Sequence, residues 1–222
     1  MTFGAIFDLD GTLIDTYDAH VAAWQRMGER HGVPVTLEQF ARHFGRRNHQ
    51  MIEEIWLEAG RPPLDAREID RLGEEKESIY RALVHAHLPL MEGGPELIAA
   101  LDESGWSIAI GSSAPIGNVD LAIERLGTRT RLDAVVTGND VTRGKPDPEC
   151  FLTAATRMGV APNRCVVIED APAGIAAALA AGMRCVAITS KGHDPRSQTA
   201  AHLVVRSLTE LTPERLATLV KA

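Results

Sequence analysis

Cysteine is scarce: three residues in 222, at positions 150, 165 and 185. Their number is odd and their spacings match neither a zinc site nor a disulfide framework, so neither device organises the chain. A reducing compartment is expected, with Cys165 and Cys185, inside apolar runs, serving as small core residues. No apolar stretch approaches the roughly 20 residues of a membrane span, and the opening residues lack a signal-peptide layout. A cytoplasmic location with no membrane partner is therefore expected. Runs rich in lysine and arginine are also missing and the net charge is −7, which argues against a nucleic-acid partner. An anionic substrate would have to be drawn in by a few local cations or a metal. There is no dinucleotide-binding glycine fingerprint, Walker loop, internal repeat or low-complexity segment. His85 and His87 are the closest pair among eight histidines, without neighbouring ligands to complete a metal site.

What is present is ordinary for a globular chain, 45% hydrophobic and 24% charged, and long enough for one large domain or two small ones. Residues 3–16 organise the rest. An apolar run ends in Asp8-Leu9-Asp10, and Gly11-Thr12 follows at once. Such a run reads as a strand buried on both faces, hence part of a parallel sheet. The Asp-Gly turn alone has a plainer explanation in ordinary loop chemistry. Helical patterns then occupy residues 17–32, a stretch after Thr36, one after the polar run 45–49, and residues 65–84. His20 falls on the apolar face of the first. Lys76 interrupts the apolar stripe of the last, either snorkelling at its edge or pointing into a cleft. From residue 89 strands alternate with helices: 107–111, 134–136, 165–168, 185–188 and 203–205 are strands. This predicts an α/β fold, a doubly wound parallel sheet carrying a small inserted all-helical domain. The expected division is 1–16 plus 89–222 for the α/β core and 17–88 for the helical insert.

Four strands end in polar residues that would be useful together: Asp8 and Asp10, Ser112 and Ser113, Lys145 in the loop after the third, and Glu169-Asp170. A parallel sheet places all four at one edge. The set fits phosphoryl transfer. Asp8 would attack phosphorus as a carboxylate, already ionised at neutral pH. Repulsion between that anion and a phosphate calls for Mg²⁺, with Asp8, Glu169 and Asp170 as hard oxygen ligands and Asp10 completing the metal set through its carbonyl. Lys145 and the Ser112 hydroxyl, with Ser113 beside it, would hold the phosphoryl oxygens. Asp10 would protonate the leaving alkoxide and later take a proton from water, with Thr12 steadying it locally.

In this order the motifs resemble those of the haloacid dehalogenase superfamily, along the whole chain. The resemblance implies that residues 17–88 are a C1 cap, and an aspartate at position 10 is similar to the phosphotransferase members. Within the superfamily the chain most resembles the β-phosphoglucomutase-like group. That likeness implies that Asp15-Thr16, His20, Trp24 and Lys76 line the cleft between cap and core; Arg47 and Asn48 are further candidates for substrate contact. Two departures stand out. Asn48 occupies the place of an arginine that holds a second phosphate in the mutases, and Pro115 replaces a lysine with the same task; whether Arg46 or Arg47 substitutes is open. The losses favour a phosphatase acting on a small phosphorylated metabolite, a sugar or polyol phosphate, through an aspartyl-phosphate on Asp8. A sugar-phosphate mutase is the alternative, and a phosphoaspartate signalling module a more distant one. A monomer or weak homodimer is expected.

Overall fold

The computed structural model describes residues 2–44, 46–85 and 87–221; Gly45, the start of the polar run before the third helix, lies outside them. Strand β1 (Gly4–Phe7) is followed by four helices with no intervening strand among the described residues. These are α1 (Tyr17–Arg30), α2 (Leu37–His43), α3 (Asn48–Glu58) and α4 (Ala66–Val84). Both α2 and α4 begin in capping boxes, Thr36 with Gln39 and Asp65 with Glu68, which satisfy the first amide donors of each helix. Helix α4 packs along α1 and α3 and buries Ile69, Leu72, Tyr80 and Val84.

The chain then alternates. Helix α5 (Gly94–Glu103) leads to β2 (Ser107–Gly111), α6 (Ile116–Leu126) to β3 (Ala134–Val136), and α7 (Glu149–Met158) to β4 (Cys165–Glu169). Helix α8 (Pro172–Ala180) precedes β5 (Arg184–Ile188), and β6 (Leu203–Val205) precedes α9 (Pro213–Lys221). All pairings are parallel, in the order β3-β2-β1-β4-β5-β6. Alternate strand residues feed two cores. Phe7, Ile110 and Ile168 join one face with α5, α6 and α9; Ile6, Ala109 and Val167 join the other with α7 and α8. The strand interiors are therefore apolar on both faces, which is why they read as continuous runs in the sequence.

The strand order reverses between β1 and β4. Such a switch point opens a crevice at the strands' carboxyl ends. Phe7 is in register with Ile110 on one side and Ile168 on the other, so Asp8 emerges beside Glu169 and next to the β2 terminus. All three cysteines are buried and unpaired. No helix among the described residues is long and apolar enough to cross a membrane.

Candidate active site

A cavity of about 370 Å³ opens at this crevice, between the strand ends and helices α1 to α4. Asp8, Lys145, Glu169 and Asp170 meet in it, all nearly closed to solvent. The Lys145 Nζ donates to Asp8 Oδ1 and, at 2.7 Å, to Glu169 Oε1. Glu169 Oε2 accepts from the amides of Asp170 and Ala171, both at 2.7 Å. Glu169 is thus fixed by backbone on one oxygen and holds Lys145 with the other. Asp170 Oδ2 accepts from Ser190 Oγ at 2.6 Å, and its carbonyl accepts from Gln198 Nε2 at 2.7 Å.

Two glycines allow this crowding. Gly11 has φ +82°, a left-handed turn, and a Cβ there would lie 2.0 Å from Asp170 Oδ2. A Cβ on Gly174, in the first turn of α8, would lie 1.7 Å from Glu169 Oε1.

Three buried carboxylates share one ammonium. Oxygens of Asp8, Glu169 and Asp170 come within 4.8 Å of one another. With all four groups ionised the cluster carries a net charge of −2, which is costly to bury uncompensated. Burial and the Glu169 charge push the Asp8 carboxyl up to about 7, against the opposing pull of Lys145. Burial, Glu169 and Asp8 likewise raise Asp170 well above the usual carboxylate range. Burial alone would lower the Lys145 ammonium, but Asp8 and Glu169 hold it well above the ordinary lysine value. A hard divalent cation fits this set by charge, by donor chemistry and by spacing. Positive charge beside Asp8, from the Lys145 ammonium and from a cation held by the same carboxylates, would favour the ionised carboxylate that a nucleophile needs.

Asp10 belongs to a different network. Its carboxylate lies outside the three-carboxylate cluster. Oδ1 accepts from Thr16 Oγ1 at 2.7 Å and lies 3.2 Å from His20 Nε2. Burial acts to raise Asp10, but the hydrogen bonds and charge of His20, with the Thr16 hydroxyl, hold it below the usual carboxylate range. Thr12, expected to steady Asp10, has its buried hydroxyl without a hydrogen-bond partner among the described residues, and Thr16 fills that role instead. Thr16 is fully buried and does not line the cavity, so it touches Asp10 rather than a substrate. His20 stacks on Tyr80 with ring centroids 4.1 Å apart, and its Nδ1 lies 2.9 Å from Lys76 Nζ.

Lys76 does not snorkel. It is 2% exposed, over the Trp24 ring at 5.4 Å, and donates to Glu77 Oε1 at 2.9 Å. Trp24, Asn48 and Lys76 all line the cavity, but Asn48 Nδ2 is engaged at 2.6 Å by Glu77. Arg47 also lines it, yet its guanidinium donates to the carbonyls of Val141 (2.7 Å), Thr142 (3.1 Å) and Gly138 (3.4 Å) rather than pointing free into the space. Ser112 and Ser113 are at the wall, and Ser112 Oγ accepts from the Ala114 amide at 3.0 Å, leaving its own proton to donate. Glu77, Asn118, Ser190 and Gln198 are the participants that strand-end reasoning misses. Each is an unremarkable polar residue in sequence, and nothing short of the tertiary contacts singles it out.

A family model described as haloacid dehalogenase-like hydrolase matches residues 4–182. The chain is 35% identical over 209 residues to validoxylamine A 7'-phosphate phosphatase of Streptomyces hygroscopicus subsp. limoneus, spanning 93% of this chain and 94% of that protein. It is 34% identical over 212 residues to hexitol phosphatase A of Escherichia coli K12, spanning 94% and 93%. The fold superimposes on a crystal structure of β-phosphoglucomutase from Clostridium difficile with TM-score 0.89, 26% identity and coverage of 100% and 98%.

Proposed function

The chain belongs to the haloacid dehalogenase-like hydrolases, and from that premise we propose that it is a Mg²⁺-dependent phosphatase of a small sugar or polyol phosphate. The observation that carries this reading is Lys145 bridging Asp8 and Glu169 beside Asp170, at the switch point of a parallel sheet. Relatives named as a validoxylamine phosphate phosphatase and a hexitol phosphatase support the substrate class.

Asp8, Asp170 and the carbonyl of Asp10 would hold the Mg²⁺, with Glu169 close by but committed to Lys145 and two amides. When bound, the ion neutralises the carboxylates and orients the phosphoryl oxygens. Lys145 and the Ser112 hydroxyl bind those oxygens from the protein side. An Asp8 oxygen forms the bond to phosphorus as the bond to the leaving oxygen breaks, giving an aspartyl-phosphate. Asp10 moves protons on the other side. A phosphate dianion beside it raises its proton affinity, so it enters as an acid and gives its proton to the leaving alkoxide. It then takes one from the water that displaces Asp8. Residues 17–88 act as a cap that excludes bulk water and reads the substrate, over a core of 1–16 and 89–222.

Wild-type protein in Mg²⁺ should release inorganic phosphate from p-nitrophenyl phosphate and from one or more sugar or polyol monophosphates. Asp8→Asn should abolish both, and surviving turnover would reject the nucleophile. A mutase would instead interconvert hexose 1- and 6-phosphates when primed with a bisphosphate. Measuring isomerised sugar separately from free phosphate decides between them.

A further inference from the structure

On that reading, the side of the cavity built by α3, α4 and α6 determines what the phosphate is attached to. Among the described residues, three lysine or arginine side chains line that side, and each is already engaged. Arg46 Nη1 is 3.3 Å from Glu54 and 3.1 Å from His43 Nδ1. Arg47 forks onto three main-chain carbonyls. Lys76, the most buried of the three, lies between His20 and Glu77.

Glu77 decides the character of this wall. It is 3% exposed, yet like Lys76 it lines the cavity. Its seat is fixed from three helices. Oε1 accepts from Lys76 of α4 and Asn48 of α3, and Oε2 accepts from Asn118 of α6 at 2.6 Å. The pair therefore presents no net charge to a ligand. A carboxylate and two amides are left, which exchange hydrogen bonds with hydroxyl groups but repel or ignore an anion. Lys76 without Glu77 would be a buried, desolvated cation facing the same space, a strong attractor for phosphate.

We propose that Glu77 is a specificity-determining residue. By neutralising Lys76 within the cavity wall it disfavours a second phosphate on the far end of the substrate. The protein thus takes monophosphates of uncharged, hydroxyl-rich skeletons and rejects bisphosphates. This rests on the phosphatase reading for the site, and goes beyond the loss of phosphate ligands at Asn48 and Pro115: positive charge that remains in the cavity is cancelled by a side chain placed there.

The test compares hexose 6-phosphate with hexose 1,6-bisphosphate as competitors of p-nitrophenyl phosphate hydrolysis. In the wild type the bisphosphate should inhibit about tenfold more weakly than the monophosphate or worse, and equal or tighter inhibition overturns the proposal. Glu77→Gln should shift the ratio about tenfold towards the bisphosphate. The double variant Lys76→Met/Glu77→Gln, with neither charge, should shift it back. An unchanged ratio in a folded Glu77→Gln protein also overturns the proposal; if that variant does not fold, the wild-type comparison decides. Should the wild type turn over no phosphate ester, the phosphatase reading fails, and calorimetric binding of the same two compounds still reads the charge preference.

Discussion

Asp10 Oδ1 sits between the Thr16 hydroxyl and the His20 ring, and those two contacts fix how its carboxylate is turned. Thr16→Val keeps the shape and removes one donor. With Asp10 free to rotate, kcat on an alkyl phosphate should fall roughly ten- to a hundredfold with little change in KM. The loss should be smaller with p-nitrophenyl phosphate, whose leaving group departs without a proton; equal losses would place Asp10 outside proton transfer to the leaving group. Glu77 gives a pH signature. Burial works to raise it, but the charges of Lys76 and His20, with the Asn48 and Lys76 hydrogen bonds, bring it down to about 2 from an ordinary 4.5. Because the folded value lies below the unfolded one, its stabilisation is complete above about 4.5 and is lost as pH falls towards 2. Wild type should therefore exceed Glu77→Gln in denaturant midpoint near neutrality, and the gap should close between pH 4.5 and 2. A gap that does not depend on pH would mean that Glu77 is not ionised in the folded state. Asp8, Ser112 and Asp170 were legible in sequence because a strand end announces itself as an apolar run stopping at a polar residue; Lys145 lies in the loop well beyond the end of β3 and was legible through its place in the order of motifs. Thr16 and Glu77 were not legible in these roles: Thr16 acts on Asp10, 6 residues back, and Glu77, though it is next to Lys76, is held in the wall by Asn48 and Asn118, 29 and 41 residues away.

At the scale of elements, α3 and the 138–144 loop are joined by one side chain. Arg47, at the N-terminus of α3, reaches the carbonyls of Gly138, Val141 and Thr142, and packs against Gly144, where a Cβ would lie 2.9 Å from its Nε. The next residue along that loop is Lys145. The fork thus ties the helical segment to the loop that carries Lys145. Arg47→Ala should lower kcat by about tenfold or more by leaving Lys145 less well placed. Arg47→Lys should not restore it, because an ammonium cannot span three carbonyls with a planar fork. Full rescue by lysine would reduce the contact to simple charge. Helix and strand positions were read from sequence to within a residue or two, since buried parallel strands are apolar on both faces and Thr36 and Asp65 mark helix starts. The short 3-10 turns at Arg129–Arg131, Pro162–Arg164, Pro195–Gln198 and Leu208–Glu210 were not anticipated. Three or four residues are too few to carry a periodic pattern.

Across the whole molecule, the sheet gathers negative charge at its own topological switch point. Parallel register brings Asp8 beside Glu169, Gly11 lets Asp170 approach, and among the described residues Lys145 is the one lysine or arginine bonded to the three-carboxylate cluster. Bringing these carboxylates together carries a cost in stability, which a bound divalent cation would relieve. At ten times its Kd such a ligand adds about 1.4 kcal/mol, a rise of about 3–6 °C in Tm for a chain of this size. Thermal unfolding with and without MgCl₂ at constant ionic strength measures this directly. Asp170→Asn removes one charge from the cluster and one hard ligand, so two effects of opposite sign should appear. Without cation the variant should melt no lower than wild type, because repulsion with Asp8 and Glu169 is reduced; with cation its gain in Tm should shrink or vanish. A wild-type Tm indifferent to Mg²⁺ would remove the metal from the site. A variant that melts far below wild type without cation would mean that Asp170 serves the fold, through Ser190, more than it serves an ion.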